Sequence, residues 1–365
     1  MQQLAASAPG SNHFISPYSV SATIQMVANG ARGRTLTEMQ HVLGLTNLSA
    51  VTLNHANDEL EKSLNHTVSG GAVLSTANSI WCRKGTPFVP EFIQCNQQYY
   101  HARVEALDFK DPNTAGVINA WVSEKTKGKI AGIVQNPLDP DMQMLLANAV
   151  YFKGTWEKPF DVNLTKPSTF HVPVGDAHTV PMMDQSGEFV HRKGTGYEAV
   201  RLGYMGGSTA MYIFLPDKGS SPAKLLNIMN GTRWRQVTKP GFRLSEGHLE
   251  MPKLKLERGT DFNKVLKSMG MKMAFESAGE VDFSGISSQR LFISEVRQQA
   301  IVEIDEKGTE AAAVTGMVAT ASIAMERPKP FEMIVDRPFF FLIEDSPTGT
   351  ILFMGVVNDP AAVAG

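Results

Sequence analysis

The sequence predicts an α+β fold. Helical periodicity is concentrated in the first third, strand signals dominate after Met142, and no internal repeat or linker rich in Pro, Gly or Ser divides the chain. Ser19 to Gly30 places Val20, Thr23, Ile24, Val27 and Ala28 at i, i+3, i+4 spacing, and Thr37 to Leu43 continues the pattern until Gly44 stops it. Thr114 to Ile130 predicts another helix, with Val117, Ile118, Trp121 and Val122 on one face and Gly128 closing it. Leu145 to Phe152 is a near-continuous apolar run, the pattern of a strand covered on both faces. Ala210 to Leu215 reads as a strand ending at Pro216-Asp217, and Leu249 to Leu256 alternates with period two, as one half-buried strand should. Phe339 to Ile343 and Thr350 to Val357 flank the turn Ser346-Pro347-Thr348-Gly349 and predict a hairpin.

Composition excludes more than it assigns. The chain has 365 residues, with 34 Lys+Arg against 36 Asp+Glu, a formal charge of −2. Length alone, at about 150 residues per domain, gives two or three domains. The balanced charge argues against a nucleic-acid or membrane-surface binder, either of which needs a basic excess. No run approaches the roughly 18 apolar residues of a membrane span. Cys82 and Cys95, the only cysteines, lack CxxC spacing and read as two buried or half-buried thiols. The first residues have neither a basic end nor an apolar run of signal-peptide length. Sequons at Asn47, Asn65, Asn163 and Asn230 permit a secreted glycoprotein.

Motifs for catalysis are missing. HExxH, GxxxxGK[ST] and GxSxG do not occur, and the nine histidines form no pair at helical ligand spacing. Gly194 to Ala199 formally matches the start of a dinucleotide fingerprint, but polar His191-Arg192-Lys193 precedes it, so a surface turn is expected. No enzyme, cofactor or metal is expected.

One segment is anomalous. From Gly308 to Met325 the residues are small; after Glu310 no charge occurs until Glu326 and no proline until Pro328. A flexible linker would be more polar, Thr315-Gly316 would break an Ala-rich helix, and an ordinary strand would be shorter. A loop able to become a strand fits. Thr309, Ala311, Ala313, Thr315, Met317 and Ala319 would share one face, and small side chains would slip between existing strands without overpacking. Proline would remove ladder hydrogen bonds, and a buried charge would have to be desolvated.

With these residues in view the chain resembles a serpin over some 340 residues. The resemblance rests on Glu306-Lys307-Gly308-Thr309-Glu310-Ala311-Ala312-Ala313, similar to the hinge of inhibitory members, and on Phe14-Ile15-Ser16-Pro17-Tyr18-Ser19. Further matches are Asn119-Ala120-Trp121-Val122, Thr126 to Ile130, Asn148 to Trp156, Val180-Pro181-Met182-Met183, Asp336-Arg337-Pro338-Phe339 and Phe353-Met354-Gly355. The resemblance implies a single domain over 1–365, with about nine helices, three β-sheets and an exposed reactive-centre loop at about 306–330. Members carry further sequence of the first helix upstream of Phe14, so that helix is expected only in part.

The implied function is suicide-substrate inhibition. A serine protease attacks the loop and forms an acyl-enzyme, and the cleaved loop inserts into the main sheet before deacylation. The alternative is a non-inhibitory serpin acting as chaperone, carrier or storage protein. Counting seventeen positions from Glu306 puts the reactive bond between Ser322 and Ile323, with bonds after Thr320, Ala321 or Met325 as neighbours. A small residue there favours elastase- or subtilisin-like targets over trypsin-like ones. The resemblance assigns the hinge to Glu306, Gly308, Thr309, Glu310, Ala311, Ala312 and Ala313. It assigns the cluster beneath the sheet-opening point to Ser16, Ser19, Asn148 and Gln298, and the point of first insertion to Trp156. Gln298 replaces a histidine found in many members, which removes a titrating group.

The partner implied is a target serine protease in covalent complex, with cysteine proteases as a second class and the inhibitor itself a monomer. Nucleic acid and membrane are not expected. Neither is heparin, since Glu91 to Arg103, compared with the basic stretch of heparin-binding members, offers only His101 and Arg103. A secreted or extracytoplasmic setting is favoured.

Overall fold

The computed structural model describes residues 1–46, 48–68, 71–229, 234–235, 239–307 and 329–362. Five helices and two strands of one sheet fill the first third. The helices are α1 (Gln2–Ser7), α2 (Pro17–Ala28), α3 (Gly33–Leu43), α4 (Ala50–Val68) and α5 (Pro90–Tyr100); the strands are β2 (Ala72–Arg83) and β3 (Arg103–Leu107), with short β1 (His13–Ile15) joining another sheet. Helix α2 starts where its sequence dictates. The Ser16 hydroxyl accepts the Ser19 amide at 3.3 Å, and Pro17 occupies the first turn, where its missing N–H costs nothing. Gly44 takes the left-handed conformation that closes α3.

Helix α6 (Thr114–Lys125) is shorter than its periodicity predicts. Lys127 and Gly128 both adopt positive φ, and the Gly128 amide bonds back to the Ser123 carbonyl, so the chain reverses before Ile130.

The strands form two hydrogen-bonded sheets among the described residues. The five-stranded sheet runs β10 (Leu254–Asp261), β11 (Glu295–Ile304), β4 (Met144–Gly154), β2, β3. The nine-stranded sheet runs β1, β14 (Thr350–Val357), β13 (Phe339–Asp345), β8 (Thr209–Pro216), β7 (Tyr197–Gly203), β6 (His178–Gly194), β9 (Arg243–Pro252), β12 (Phe331–Ile334), with β5 (Lys166–Phe170) also on β6. Long β6 pairs β5 through its first residues and β7 through its last, so it joins two parts of this sheet. Helices α7 (Pro222–Ile228) and α8 (Asn263–Met269) follow among the described residues.

The alternating run Leu249 to Leu256 is two strands, not one. It divides at Pro252-Lys253, where the Lys253 amide turns to the Pro181 carbonyl, and the halves enter different sheets. The hairpin of β13 and β14 forms as the sequence predicts. Gly194 to Tyr197 is the tight β6–β7 turn, with Gly196 at φ +82. Both cysteines are free thiols, Cys82 buried and Cys95 half-buried.

Strand β4 shows how the core is partitioned. Leu145, Ala147, Ala149 and Tyr151 lie under α6 with Ile118, Trp121 and Val122. On the opposite face, Met144 and Leu146 pack with α2, α3 and α5, whereas Val150 and Phe152 join a cluster with Ile213, Leu249, Phe341 and Phe353 of the nine-stranded sheet. Between these two apolar groups the same face carries Asn148.

Candidate functional site: the parallel seam of the five-stranded sheet

Asn148 is one member of a polar row crossing three strands at one level. Its register partners are Asn78 on β2 and Gln298 on β11, and all three side chains are buried. Asn148 and Gln298 interrupt otherwise apolar period-two rows, Asn78 follows Thr76 in its own, and a buried amide costs free energy unless bonded. Here they bond to one another. The Asn148 Nδ2 donates to Ser19 Oγ at 2.5 Å and Asn78 Oδ1 at 2.7 Å, while its Oδ1 accepts from Gln298 Nε2 at 2.7 Å. Gln298 also bonds the Ser16 backbone in both senses, its Oε1 accepting the amide at 2.9 Å and its Nε2 reaching the carbonyl at 3.3 Å. An amide supplies these three bonds; an imidazole, with two ring nitrogens, could not.

The Gln298–Asn148 bond spans the one parallel pairing at the centre of this sheet. Strands β11 and β4 run parallel and pair directly from Glu295↔Leu145 to Glu303↔Lys153. Each has an outer neighbour that is antiparallel, β10 and β2. Parallel ladders are slightly less stable per residue than antiparallel ones.

At the far end of the seam a second group ties β11 to the chain that follows β4. The Trp156 indole N–H donates to the Asp305 carbonyl at 2.8 Å, the Trp156 amide to the Lys307 carbonyl at 3.3 Å, and the Phe160 amide to the Glu306 carbonyl at 2.8 Å. The Trp156 ring stacks on Tyr204 with centroids 4.4 Å apart. That approach depends on Gly154, where a Cβ would collide with the Tyr204 ring. Glu306 is only 6% exposed; its carboxylate accepts from Lys253 Nζ at 2.9 Å and Thr165 Oγ1 at 3.0 Å. Burial pushes its pKa up, but hydrogen bonds from Lys253, its own backbone and Thr165 outweigh this and hold it below the ordinary carboxylate value.

Helix α6 leads into the segment that covers the opposite end. Asn119 accepts the Ile133 and Val134 amides at 2.8 and 3.1 Å and donates to the Val134 carbonyl at 2.9 Å, and Arg297 of β11 reaches the Ile133 carbonyl at 3.2 Å.

Ser16, Ser19, Asn148 and Gln298 therefore meet in one cluster, and at the other end of the seam Trp156 bonds the carbonyls on either side of Glu306, those of Asp305 and Lys307. Gly308, Thr309, Glu310, Ala311, Ala312, Ala313, Ser322 and Ile323 lie outside the described residues. Sequence reasoning missed Asn78, although a lone Asn in the run Ala77 to Trp81 was a readable signal. It also missed Thr165, Lys253 and Tyr204, whose roles arise only from tertiary contact.

An α+β protein whose main sheet keeps a parallel seam beside the chain leaving β11 belongs to a narrow structural class. A family model described as serpin (serine protease inhibitor) matches residues 1–360, and the chain belongs to the serpin family. It is 35% identical to the leukocyte elastase inhibitor of Bos taurus, over 96% of this chain and 94% of that one. Among solved structures it is similar to native protease nexin-1 with heparin, at TM-score 0.88 and 28% identity, covering 98% of this chain and 95% of that one. It is also similar to human thyroxine-binding globulin, at TM-score 0.87 and 28% identity, covering 99% and 95%.

Proposed function

We propose that this serpin is a suicide-substrate inhibitor of serine proteases, folded as a single domain and acting as a monomer. The observation that carries the reading is the direct parallel pairing of β11 with β4. A chain leaving the end of β11 and returning between these strands runs antiparallel to both. One parallel ladder is thereby exchanged for two antiparallel ones. Thr309 to Ser322, extended at about 3.3 Å per residue, spans on the order of 45 Å, enough to follow the eleven residues of β4.

In the chemical step the protease serine attacks the Ser322 carbonyl carbon. The Ser322–Ile323 amide breaks, Ile323 leaves as a protonated amine, and Ser322 stays esterified to the enzyme. Insertion from Thr309 onward separates the Trp156 and Phe160 contacts first and the Gln298–Asn148 bond later, carrying the esterified protease with it. The serpin contributes the trap, and the protease contributes the chemistry. The small residue before the bond selects elastase- or subtilisin-like enzymes.

The two basic groups at the end of α5 support the reading that heparin is not a partner. His101 pairs with Glu61 at 3.2 Å, and Arg103 with Glu105. Heparin accompanies protease nexin-1 in its structure, so inhibition rates with and without heparin test this point; equal rates are expected.

Incubation with a pancreatic-type elastase or subtilisin is expected to give a covalent complex that survives boiling in detergent. Mass spectrometry of the released peptide should begin at Ile323. Cleavage by every protease tested with no complex would refute inhibition and leave the carrier reading, to which the thyroxine-binding globulin likeness points.

A further inference from the structure

We propose that Asp184, His248 and Glu250 form a binding site for a divalent transition-metal ion of the zinc class, on the outer face of the β6–β9 pair. Asp184 and Glu250 are direct cross-strand partners, and His248 lies two residues from Glu250 on the same face. His248 Nε2 stands 2.9 Å from Asp184 Oδ1 and 3.9 Å from Glu250 Oε1, and all three ligand atoms lie within 4.8 Å of one another. Tetrahedral ligands held about 2.0–2.1 Å from zinc lie about 3.4 Å apart, and the two separations from His248 bracket that spacing. Small rotations of three half-buried side chains would close the set, leaving a fourth position for water.

The arrangement is poorly explained without a cation. Like charges directly opposite in an antiparallel pair are destabilising, yet Asp184 faces Glu250, and Glu188 faces Glu246 two rungs along the same face. Glu332 of β12 is the register partner of His248 on its other side. Among the described residues, no lysine or arginine lies within ion-pair distance of Asp184 or Glu250; His248 alone serves both. A divalent ion would cancel both carboxylates. On binding, His248 gives its Nε2 lone pair to the metal and carries its single ring proton on Nδ1. One nitrogen with two carboxylate oxygens suits zinc better than calcium, which takes six to eight oxygens. The ligands sit on a rigid ladder rather than on a loop, so little ordering is required.

The site is independent of the inhibitory reading, and its test uses no protease. Isothermal titration of the full chain with ZnCl2 is expected to show one saturable site per chain, with calcium chloride giving no comparable heat. His248→Ala, Asp184→Asn and Glu250→Gln should each weaken zinc at least tenfold. His191→Ala, which removes an imidazole bonded to Glu198 instead, should not. The metal should also raise the melting temperature of the parent chain and not that of His248→Ala, a half-buried change that leaves the core intact. An anomalous-scattering peak at the zinc edge between the three side chains would place the ion. Zinc heats unchanged by His248→Ala, or no binding at millimolar zinc, overturns the proposal.

Discussion

The two sheets of this molecule handle burial in opposite ways. Around β8, β13 and β14 the nine-stranded sheet pairs antiparallel throughout and fills its inner face with Ile213, Phe339, Phe341, Ile343 and Phe353. The five-stranded sheet keeps a parallel pair at its centre and lays buried amides across it. Aromatic packing has one good solution, and rearranging it leaves cavities. Hydrogen-bonded amides can exchange partners as strands part, since each carries donors and an acceptor. On the function proposed above, the first sheet keeps its pairing throughout and the second is the one that is remade.

The largest expected effect sharpens that contrast. Proteolytic cleavage after Ser322, or after the neighbouring Thr320 or Ala321, should raise the melting temperature, because insertion would add on the order of ten net hydrogen bonds, worth about 10 kcal/mol in total. With an unfolding entropy of about 2.1 cal/mol/K per residue, a chain of 365 residues gains roughly 1.3 °C per kcal/mol, so a rise on the order of 13 °C is expected by calorimetry. No rise would mean that the seam does not open.

Phe341→Ala tests the other sheet. Truncating a fully buried phenylalanine costs about 3–5 kcal/mol, and here it should lower the intact and nicked melts alike, because both keep this core. A loss confined to one form would break the comparison.

Asn148→Ala should cost about 2 kcal/mol by stranding Gln298 Nε2, Asn78 Oδ1 and Ser19 Oγ. Its effect should fall on the intact form, with spontaneous insertion accelerated, as followed by native-gel mobility over days at 37 °C. Trp156→Phe keeps a ring against Tyr204 but removes the donor to Asp305, so about 1 kcal/mol is expected from urea melts of the intact chain.

The smallest effect is a pH dependence. Because the folded-state pKa of Glu306 lies below its unfolded value near 4.5, its contribution is fully present above that pH. The contribution fades as pH falls through the folded value. Glu306→Gln should therefore lower stability by a constant amount across the neutral region and flatten the acid limb, the two proteins converging as pH falls. An unchanged acid limb would remove Glu306 from the anchoring of β11.

Local signals made much of this readable in advance. The helical spacing of α2, read from Ser19 although the helix starts at Pro17, the doubly covered run in β4 and the β13–β14 hairpin are properties of adjacent residues. The division at Pro252-Lys253 was not readable, because period two continues across it while the partners change. The α6 periodicity outlasts the helix because Lys127, a non-glycine residue, takes positive φ. The seam itself was legible only as isolated polar residues, Asn148 and Gln298, in apolar rows. That they align with Asn78 depends on strand register between segments 70 and 150 residues apart. The Lys253–Glu306 pair likewise joins separate stretches and leaves no mark in either.

Strand β12 has a consequence for how the molecule ages. It is four residues long, lies at the edge of the nine-stranded sheet, and pairs with β9 in parallel from Phe331↔Gly247 to Ile334↔Glu250. The chain between β11 and β12 is therefore a tether fastened to two different sheets. On the reading proposed above, an uncut loop can fill the seam only if β12 is stripped from its edge, whereas a cut loop leaves β12 where it is. On that reading the unused protein would run on a slow clock, wound by the seam and held by one short strand, and mutations in Phe331 to Ile334 would set its rate without touching the trap.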